Sequence, residues 1–174
     1  MILRAAVPGD ASRIADILIA SRAAFLPYAP SPHSDDEVRA WVRDVLIRTE
    51  EITVPTPGGQ VFGVLSVRRA EAINRITQLY LDPAYVGRGI GSMPLSHSLA
   101  TVPRPIRLLT FQQNTGARRF YQRHGFVAVL FSNGQSNEEH CPDVLYELAR
   151  RQFLLHSVQV WEIMRLEEAF ATIL

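Results

Sequence analysis

Apolar side chains recur at helical spacing in two segments near the start of the chain. Residues 11–25 follow the tripeptide Pro8-Gly9-Asp10, which we expect to form a turn that caps a first helix. A second helix is expected after Ser34, because Ser34 and Glu37 have the spacing of a capping box. The expected apolar faces comprise Ile14, Ile17, Leu18 and Phe25 in the first helix and Val38, Trp41, Val42 and Leu46 in the second. Between the helices, segment 26–33 contains three prolines and is predicted to be a loop.

Short runs of β-branched and aromatic residues predict strands in the rest of the chain. The runs 50–56 and 60–69 flank the dipeptide Gly58-Gly59 and therefore predict a hairpin. Further strands are predicted at residues 2–7, 74–82, 106–111, 126–131 and 143–150, and a further helix at residues 115–124, ended by Gly125. This order predicts an α/β (α+β) sandwich with a mixed sheet and helices on both faces.

Composition limits the classes of function. A chain of 174 residues with 47% hydrophobic and 20% charged residues is typical of one globular domain. Its net charge of +1 gives no general field for nucleic acid or an anionic membrane, so neither is an expected partner. The single cysteine, Cys141, excludes an internal disulfide and a multi-thiolate metal site. The start "MILRAAVPGD" lacks signal-peptide features, and no 18-residue apolar run occurs, so we expect a cytoplasmic protein.

The segment "YLDPAYVGRGIGSMPL", residues 80–95, places glycines at positions 87, 89 and 91, after a predicted strand. Bare backbone at a junction between a strand and a helix favours binding of a phosphate group. Two nucleotide motifs are excluded: Ser92 replaces the third glycine of a dinucleotide fingerprint, and the chain has no lysine for a Walker loop. Because Pro94 is tolerated only in the first turn of a helix, we expect that helix to begin near Ser92 or to have a distorted first turn.

Two blocks of sequence resemble the GNAT superfamily of N-acetyltransferases. "LYLDPAYVGRGIGS" looks like its acetyl-coenzyme A (acetyl-CoA) signature, although Val86 stands where that signature usually has Gln or Arg. "NTGARRFYQRHGF" is similar to its later block, an Asn followed by a helix with Phe-Tyr and a closing Gly-Phe. The resemblance in organisation covers roughly residues 3–149. It implies a mostly antiparallel GNAT-like sheet and a domain at residues 1–149.

The resemblance also implies roles for individual residues. The acetyl-CoA site would comprise Leu79, Leu81, Val86, Gly87, Arg88, Gly89, Ile90, Gly91, Ser92 and Asn114. Within this set, the amides of residues 87–91 and Arg88 would hold the pyrophosphate, and the backbone of Leu79 and Leu81 would pair with the pantetheine arm. Asn114 would support that arm or the following helix. The thioester would lie in a splayed gap beside strand 75–82, where Tyr121 would protonate the departing thiolate as the catalytic acid.

The sequence does not identify the general base that would remove a proton from the amine. Several superfamily members have a carboxylate on the strand before the glycines, but this chain has Arg75 and Thr77 there. Glu71, Gln78 acting through a water, or an acid from the loop "NGQSNEEHCPD" are alternatives, and an amine with a lowered pKa could need only solvent.

Acceptor specificity is expected from two loops that would overlie the thioester. The candidate substrate-binding residues are Phe25, Tyr28, His33, Glu138 and Glu139. Aromatic walls with carboxylates suit a cationic amine, although acids at a helix N-terminus also have a structural explanation. No short-spaced ligand pair supports a zinc site at His33 and His140, so no metal is expected.

Two functions therefore remain possible from the sequence. One is an acetyl-CoA-dependent N-acetyltransferase acting by direct attack of a primary amine, in a small molecule or a protein. The other is a non-catalytic acyl-CoA-binding module, which the missing strand carboxylate leaves open. Residues 150–174 extend beyond the resemblance. Near-helical spacing of Val160, Ile163, Leu166, Phe170 and Ile173 predicts a C-terminal helix, buried on the domain or in a homodimer.

Overall fold

A computed structural model describes residues 2–150. Its strands are β1 (Leu3–Ala5), β2 (Glu51–Pro55), β3 (Gly63–Arg68), β4 (Asn74–Leu81), β5 (Ile106–Phe111), β6 (Val127–Phe131) and β7 (Asp143–Leu148). Its helices are α1 (Ala11–Phe25), α2 (Asp35–Trp41), α3 (Ile47–Thr49), α4 (Ser92–Thr101) and α5 (Thr115–Arg123). A π-helical turn, Val42–Leu46, joins α2 to α3. Every strand and helix predicted within these residues is confirmed, whereas the predicted C-terminal helix and most of segment 150–174 lie outside them.

The strands form one sheet in the order β1-β2-β3-β4-β5-β7-β6. All neighbours are antiparallel except β4 and β5, which are parallel. The predicted mixed sheet and the β2-β3 hairpin are therefore confirmed. None of the helices within residues 2–150 has the length and apolar character needed to cross a bilayer.

Helices cover both faces of the sheet, as predicted, and each face has its own core. One core packs α1 and the segment 42–46 against β2 and β3. The other packs α4 and α5 against the centre of the sheet, with Leu95, Tyr121 and Phe126 among its members. The sheet is thus the middle layer, and a site at its centre is enclosed from both sides.

Local sequence signals set most helix boundaries. The capping box before α2 is confirmed: the Glu37 N–H donates to Ser34 Oγ at 3.4 Å, and the Ser34 N–H donates to the Glu37 carboxylate at 2.8 Å. The expectation that α4 begins near Ser92 is also confirmed. Pro94 is then the third residue of α4, where its missing N–H removes no hydrogen bond from the helix.

Two expectations for α1 are wrong. Asp10 forms the predicted turn but does not cap α1, because its carboxylate accepts hydrogen bonds from the Val7 N–H and the Arg4 guanidinium. Phe25 does not share the buried face of Ile14, Ile17 and Leu18. It is the last residue of α1 and is 42% exposed, whereas the next residue, Leu26, is buried in its place.

Candidate active site

The central strands separate at one end of the sheet. β4 and β5 pair only through Asn74 with Ile106 and Arg75 with Arg107. In the described structure no further pairing joins these strands, so the β5-facing edge of β4 beyond Arg75 has no strand partner. Such an edge presents backbone donors and acceptors to an extended ligand. The splayed gap expected beside residues 75–82 is therefore present, and Leu79 and Leu81 lie on the strand that borders it.

The glycine segment follows this edge directly. Gly87 and Gly89 have positive φ angles of 81° and 75°, and a Cβ atom at either position would meet open space. Within residues 2–150, the backbone N–H groups of residues 87–91 donate no hydrogen bond, although those of Val86 and Ser92 do. Five consecutive free N–H groups before the N-terminus of α4 form a concave site that favours an anion.

Side chains fix this loop to the rest of the fold. Asp82, just after β4, accepts a hydrogen bond from the Ala84 N–H at 3.0 Å and pairs with Arg13 of α1 at 2.5 Å. The hydrogen bond from Arg13 lowers the pKa of the Asp82 carboxyl. Tyr85 stacks on Phe62, with ring centroids 4.1 Å apart, and the Arg88 guanidinium lies 5.5 Å from the Tyr85 ring. The loop is thus held in place before any ligand binds.

Asn114 and Tyr121 lie at the two ends of α5. The Asn114 side chain accepts a hydrogen bond from the Ala117 N–H at 3.0 Å and so caps the helix. Tyr121 is only 7% exposed and packs among aromatic rings in the core between α5 and the sheet. Burial raises the pKa of Tyr121 well above the usual value of a phenol, and Tyr80 raises it further. Tyr121 is therefore a neutral hydrogen-bond donor across the physiological pH range.

A cavity of about 280 Å³ lies on the face of β4 that is turned toward α1, opposite the face that packs against α5. α1, the loop 26–33 and α2 form most of its wall, which is largely apolar and includes Leu18, Val38 and Trp41. Gln78 and Tyr80 of β4 form its floor. Gln78 and Tyr80 belong to the part of β4 that has no β5 partner, so the cavity lies beside the splayed gap.

The two loops predicted to govern specificity meet at this cavity. Glu139 pairs with Arg22 at 2.8 Å, and Glu138 contacts His33 Nε2 at 2.9 Å. The Cys141 Sγ also contacts the Tyr28 carbonyl at 3.2 Å. His33 and Glu139 line the cavity, whereas Tyr28 and Glu138 lie beside it. Phe25 is the exception among the predicted residues, because it is exposed at the end of α1 and does not line the cavity.

The candidates for the general base occupy different environments. Gln78 and Glu139 both line the cavity, whereas Glu71 is exposed on the turn between β3 and β4. Within residues 2–150 no cluster of three or more His, Cys, Asp or Glu side chains is arranged to hold a metal ion.

A buried carboxylate that the sequence did not indicate, Glu50, accepts a hydrogen bond from the Thr77 hydroxyl. The Glu50 side chain is 1% exposed and accepts hydrogen bonds from the Ser66 and Thr77 hydroxyls, and it pairs with Arg68 at 2.7 Å. These partners already satisfy the carboxylate, and Glu50 does not line the cavity between α1 and β4. We therefore assign Glu50 to the linkage of β2, β3 and β4.

Arg22, Trp41 and Tyr80 were also missed as residues of the cavity. A signal for Arg22 was present, because it lies four residues after Leu18 and therefore extends the buried face of α1. A cation on the apolar side of a helix indicates either a buried ion pair or a ligand site.

Comparison with known proteins identifies the family. The family model of the GNAT acetyltransferase domain matches residues 43–128, which contain β4, the glycine loop, α4 and the whole of α5 with its cap. Residues 43–128 therefore carry a GNAT acetyltransferase domain. The chain is an acyltransferase that uses acetyl-CoA as its acetyl donor. No curated protein matches the sequence of this acetyltransferase at a significant level.

Solved structures share the fold of this acetyltransferase. Apo-form YjaB from Escherichia coli has a TM-score of 0.66 at 20% identity, covering 84% of this chain and 97% of YjaB. PaiA N-acetyltransferase from Thermoplasma acidophilum, in complex with coenzyme A, has a TM-score of 0.67 at 16% identity, covering 86% and 98%. Ard1 from Thermoplasma volcanium has a TM-score of 0.66 at 18% identity, covering 85% and 96%. At these identities the likeness shows the fold alone.

The glycine loop fits the pyrophosphate of acetyl-CoA. Its five free N–H groups provide donors, the open space at Gly87 and Gly89 admits a large anion, and residues 83–92 contain no acidic side chain. Val86, in the position usually held by Gln or Arg, is 43% exposed and adds no polar group. The donors that this loop offers to an anion are therefore mainly backbone N–H groups.

Proposed function

We propose that this acetyltransferase transfers the acetyl group of acetyl-CoA to the primary amine of a small molecule bound in the cavity between α1, α2 and β4. The observation that supports this proposal is that β4 borders both the splayed gap and the cavity. One edge of the strand borders the splayed gap, and its Gln78 and Tyr80 side chains form the floor of the cavity. An amine resting on that floor is next to the gap in which the thioester would lie.

The size and lining of the cavity favour a small acceptor. A volume of about 280 Å³ lies at the lower end of the usual range for ligand pockets and suits one compact molecule. Its apolar wall would contact a hydrocarbon or aromatic body, and the indole of Trp41 adds a surface for a cation. Asp35 and Glu139 provide negative charge for the ammonium form. A protein amino group on an extended side chain is the alternative acceptor.

The donor would be held by the residues that the resemblance implies. The amides of residues 87–91 and the Arg88 side chain would bind the pyrophosphate, the backbone of Leu79 and Leu81 would pair with the pantetheine arm, and Asn114 would position α5 beside it. Bound acetyl-CoA supplies an acetyl thioester whose carbonyl carbon is the electrophile. A backbone N–H of the β4 edge would polarise the carbonyl oxygen.

Two proton movements accompany direct attack. The ammonium must first lose a proton, and Gln78 acting through a water, or Glu139, is placed in the cavity to receive it. The amine then attacks the thioester, and the departing thiolate requires a proton or a hydrogen bond. We assign this role to Tyr121. Because burial raises its pKa, its main contribution is a hydrogen bond to the thiolate rather than complete transfer of a proton.

Turnover across a panel of acceptors tests this function. The full chain is incubated with acetyl-CoA and either small primary amines or peptides with free amino groups, and release of the coenzyme A thiol is followed. We expect turnover with small amines that have an apolar body. Trp41→Leu should raise KM for the amine about tenfold without changing KM for acetyl-CoA, because Trp41 lines the acceptor cavity and is remote in the fold from the glycine loop.

Val45→Ala, in the same helical segment but on an exposed side chain, is the matched control and should change neither constant. Binding of acetyl-CoA without turnover of any amine would show a non-catalytic module instead. Turnover confined to peptides would move the acceptor to a protein amino group.

A further inference from the structure

Arg22 is a cation on the wall of a cavity proposed to bind a cationic amine. Its side chain is 18% exposed, and its Nη2 donates to Glu139 at 2.8 Å and to the Ala29 carbonyl at 3.2 Å. The Tyr80 phenol also lies close enough to interact with the guanidinium. An amine acceptor alone gives no reason for a guanidinium at this position, since like charges repel.

Three donors around this cavity are without acceptors. Within residues 2–150, the buried side-chain polar atoms that lack a hydrogen-bond partner are Arg22 Nε, Tyr28 Oη and Trp41 Nε1. Arg22 and Trp41 line the cavity, and Tyr28 belongs to the loop 26–33, whose other residues all line it. Buried donors are nearly always paired in folded proteins, so three unpaired ones around one cavity indicate a missing ligand that brings acceptors.

A carboxylate fits this arrangement best. It only accepts hydrogen bonds, it has two oxygens, and its plane matches the fork of N–H groups on a guanidinium. Resting on the proposed acetyl transfer in this cavity, we propose that the acceptor is a free amino acid with an apolar side chain, and that Arg22 binds its carboxylate. The amine of such a molecule lies one carbon away from the carboxylate, and the apolar side chain would contact the Leu18 and Val38 wall.

The ion pair between Arg22 and Glu139 explains how the site accommodates both charges. The carboxylate would take the place of Glu139 at Arg22 Nη2, and its second oxygen would then accept a hydrogen bond from the unpaired Nε on the same edge of the guanidinium. Glu139 is then released beside the ammonium group and pairs with it. One internal ion pair is exchanged for two ion pairs with a zwitterion, and no buried charge is left alone. A simple amine supplies only one of the two charges.

Matched acceptors test the inference directly. Initial rates of thiol release are measured with the full chain, acetyl-CoA and three sets of molecules: phenylalanine, methionine and leucine, their carboxamides, and the amines that remain when the carboxylate is removed. We expect kcat/KM to be about 100-fold higher for at least one amino acid than for both of its partners, the scale at which one buried charged pair acts. The carboxamides separate charge recognition from the basicity of the amine.

Variants then assign the preference to Arg22. Arg22→Lys keeps the charge but loses the planar fork, and it should reduce the preference for the carboxylate at least tenfold. Arg22→Met should abolish the preference, and Arg22→Met combined with Glu139→Gln guards against misfolding from an unpaired carboxylate. Arg39→Lys is the matched control, because Arg39 pairs with Asp16 and does not line the cavity. Calorimetry with coenzyme A confirms that each variant keeps its donor site.

The outcomes separate this inference from the proposed function. Equal kcat/KM for amino acids and their decarboxylated partners, with good turnover, would overturn the carboxylate site and leave acetyl transfer to amines intact. A preference that survives in Arg22→Met would also overturn it. If the chain binds coenzyme A but turns over no molecule of the three sets, both the carboxylate site and the proposed acetyl transfer to amines are overturned.

Discussion

Tyr121 is the residue in which burial and proposed chemistry are most closely linked. Its ring belongs to the core under α5, and burial there raises the pKa of its hydroxyl. A raised pKa makes a phenol a weaker acid but a secure hydrogen-bond donor. Its proposed contribution should therefore depend on how much help the leaving thiolate needs.

Tyr121→Phe is predicted to lower kcat by roughly 100-fold, because it removes the proposed donor and keeps the ring in the core. The free energy of unfolding and the affinity for acetyl-CoA should change little. The loss should shrink for acetyl donors with a more acidic thiol, since such a thiolate departs without assistance. The measurement is kcat of the wild type and of Tyr121→Phe, each with two acetyl thioesters whose thiols differ in pKa.

Tyr146→Phe is the matched control for this prediction. Tyr146 lies in the same core, 6.3 Å from the Tyr121 ring, but its hydroxyl accepts hydrogen bonds from Arg118 at 3.3 Å and Gln122 at 3.2 Å. Removal of that hydroxyl should lower stability without any dependence on the leaving group. Equal losses of kcat with both thioesters in Tyr121→Phe would remove Tyr121 from the mechanism.

Asp82 predicts a pH dependence of stability. Because the hydrogen bond from Arg13 lowers the pKa of its carboxyl in the folded state, its contribution is complete above the unfolded pKa of about 3.9 and is lost as pH falls through the folded value. Urea unfolding of the wild type and Asp82→Asn should therefore show the largest difference near pH 7 and a shrinking one below about pH 4. A constant difference down to pH 2 would contradict this assignment.

At the scale of elements, the glycine loop shows how backbone conformation creates a binding site. Positive φ angles at Gly87 and Gly89 leave the N–H groups of residues 87–91 free, and the anchors at Asp82 and Tyr85 hold that arrangement. α4 begins only at Ser92, so the free donors precede the helix and add to its dipole. Preorganisation of this kind reduces the entropic cost of binding.

Gly89→Asp is predicted to abolish coenzyme A binding, because it places a side chain and a negative charge where the pyrophosphate would bind. Gly58→Asp is the matched control: Gly58 has a φ of 64°, and a Cβ atom there also meets open space, so its backbone strain is comparable. Calorimetry should find binding in Gly58→Asp and none in a folded Gly89→Asp. Unchanged affinity in Gly89→Asp would place the pyrophosphate elsewhere.

At the scale of the whole molecule, one sheet separates two cores and joins two sites. The core under α4 and α5 supports the donor loop and Tyr121, while the core under α1 and the segment 42–46 supports the wall of the cavity. β4 borders the splayed gap along one edge and lines the cavity with Gln78 and Tyr80. A substitution in either core is therefore expected to affect one substrate more than the other.

The C-terminal segment remains a prediction at this scale, since residues 151–174 lie outside the described structure. The spacing of its apolar residues predicts a helix that covers either its own domain or a second subunit. If the helix covers its own domain, ending the chain after Arg150 should lower the thermal midpoint without changing the oligomeric state. If it covers a second subunit, the same truncation should convert a dimer to a monomer and so reduce the mass measured in solution. Thermal melting and light scattering distinguish the two. No change in solubility, midpoint or mass would contradict both.

The sequence by itself determined the elements and the donor loop, because those depend on local chemistry. The capping box at Ser34, the first-turn position of Pro94 and the glycines at 87 and 89 act within a few residues of one another. Periodicity likewise determined which faces are buried, with errors only at Asp10 and Phe25. The Asp10 carboxylate accepts hydrogen bonds from Arg4 and the Val7 N–H instead of capping the helix. At the end of α1, Leu26 is buried in place of Phe25.

The tertiary structure alone decided the acceptor site. Arg22 and Glu139 are 117 positions apart, and His33 and Glu138 are 105 apart, so no local pattern indicates that they meet. The divergence of β4 from β5 is equally non-local, since it depends on where two strands cease to pair. Unpaired donors at Arg22, Tyr28 and Trp41 emerge only once the surrounding side chains are in place, because hydrogen-bond satisfaction is a property of the packed molecule.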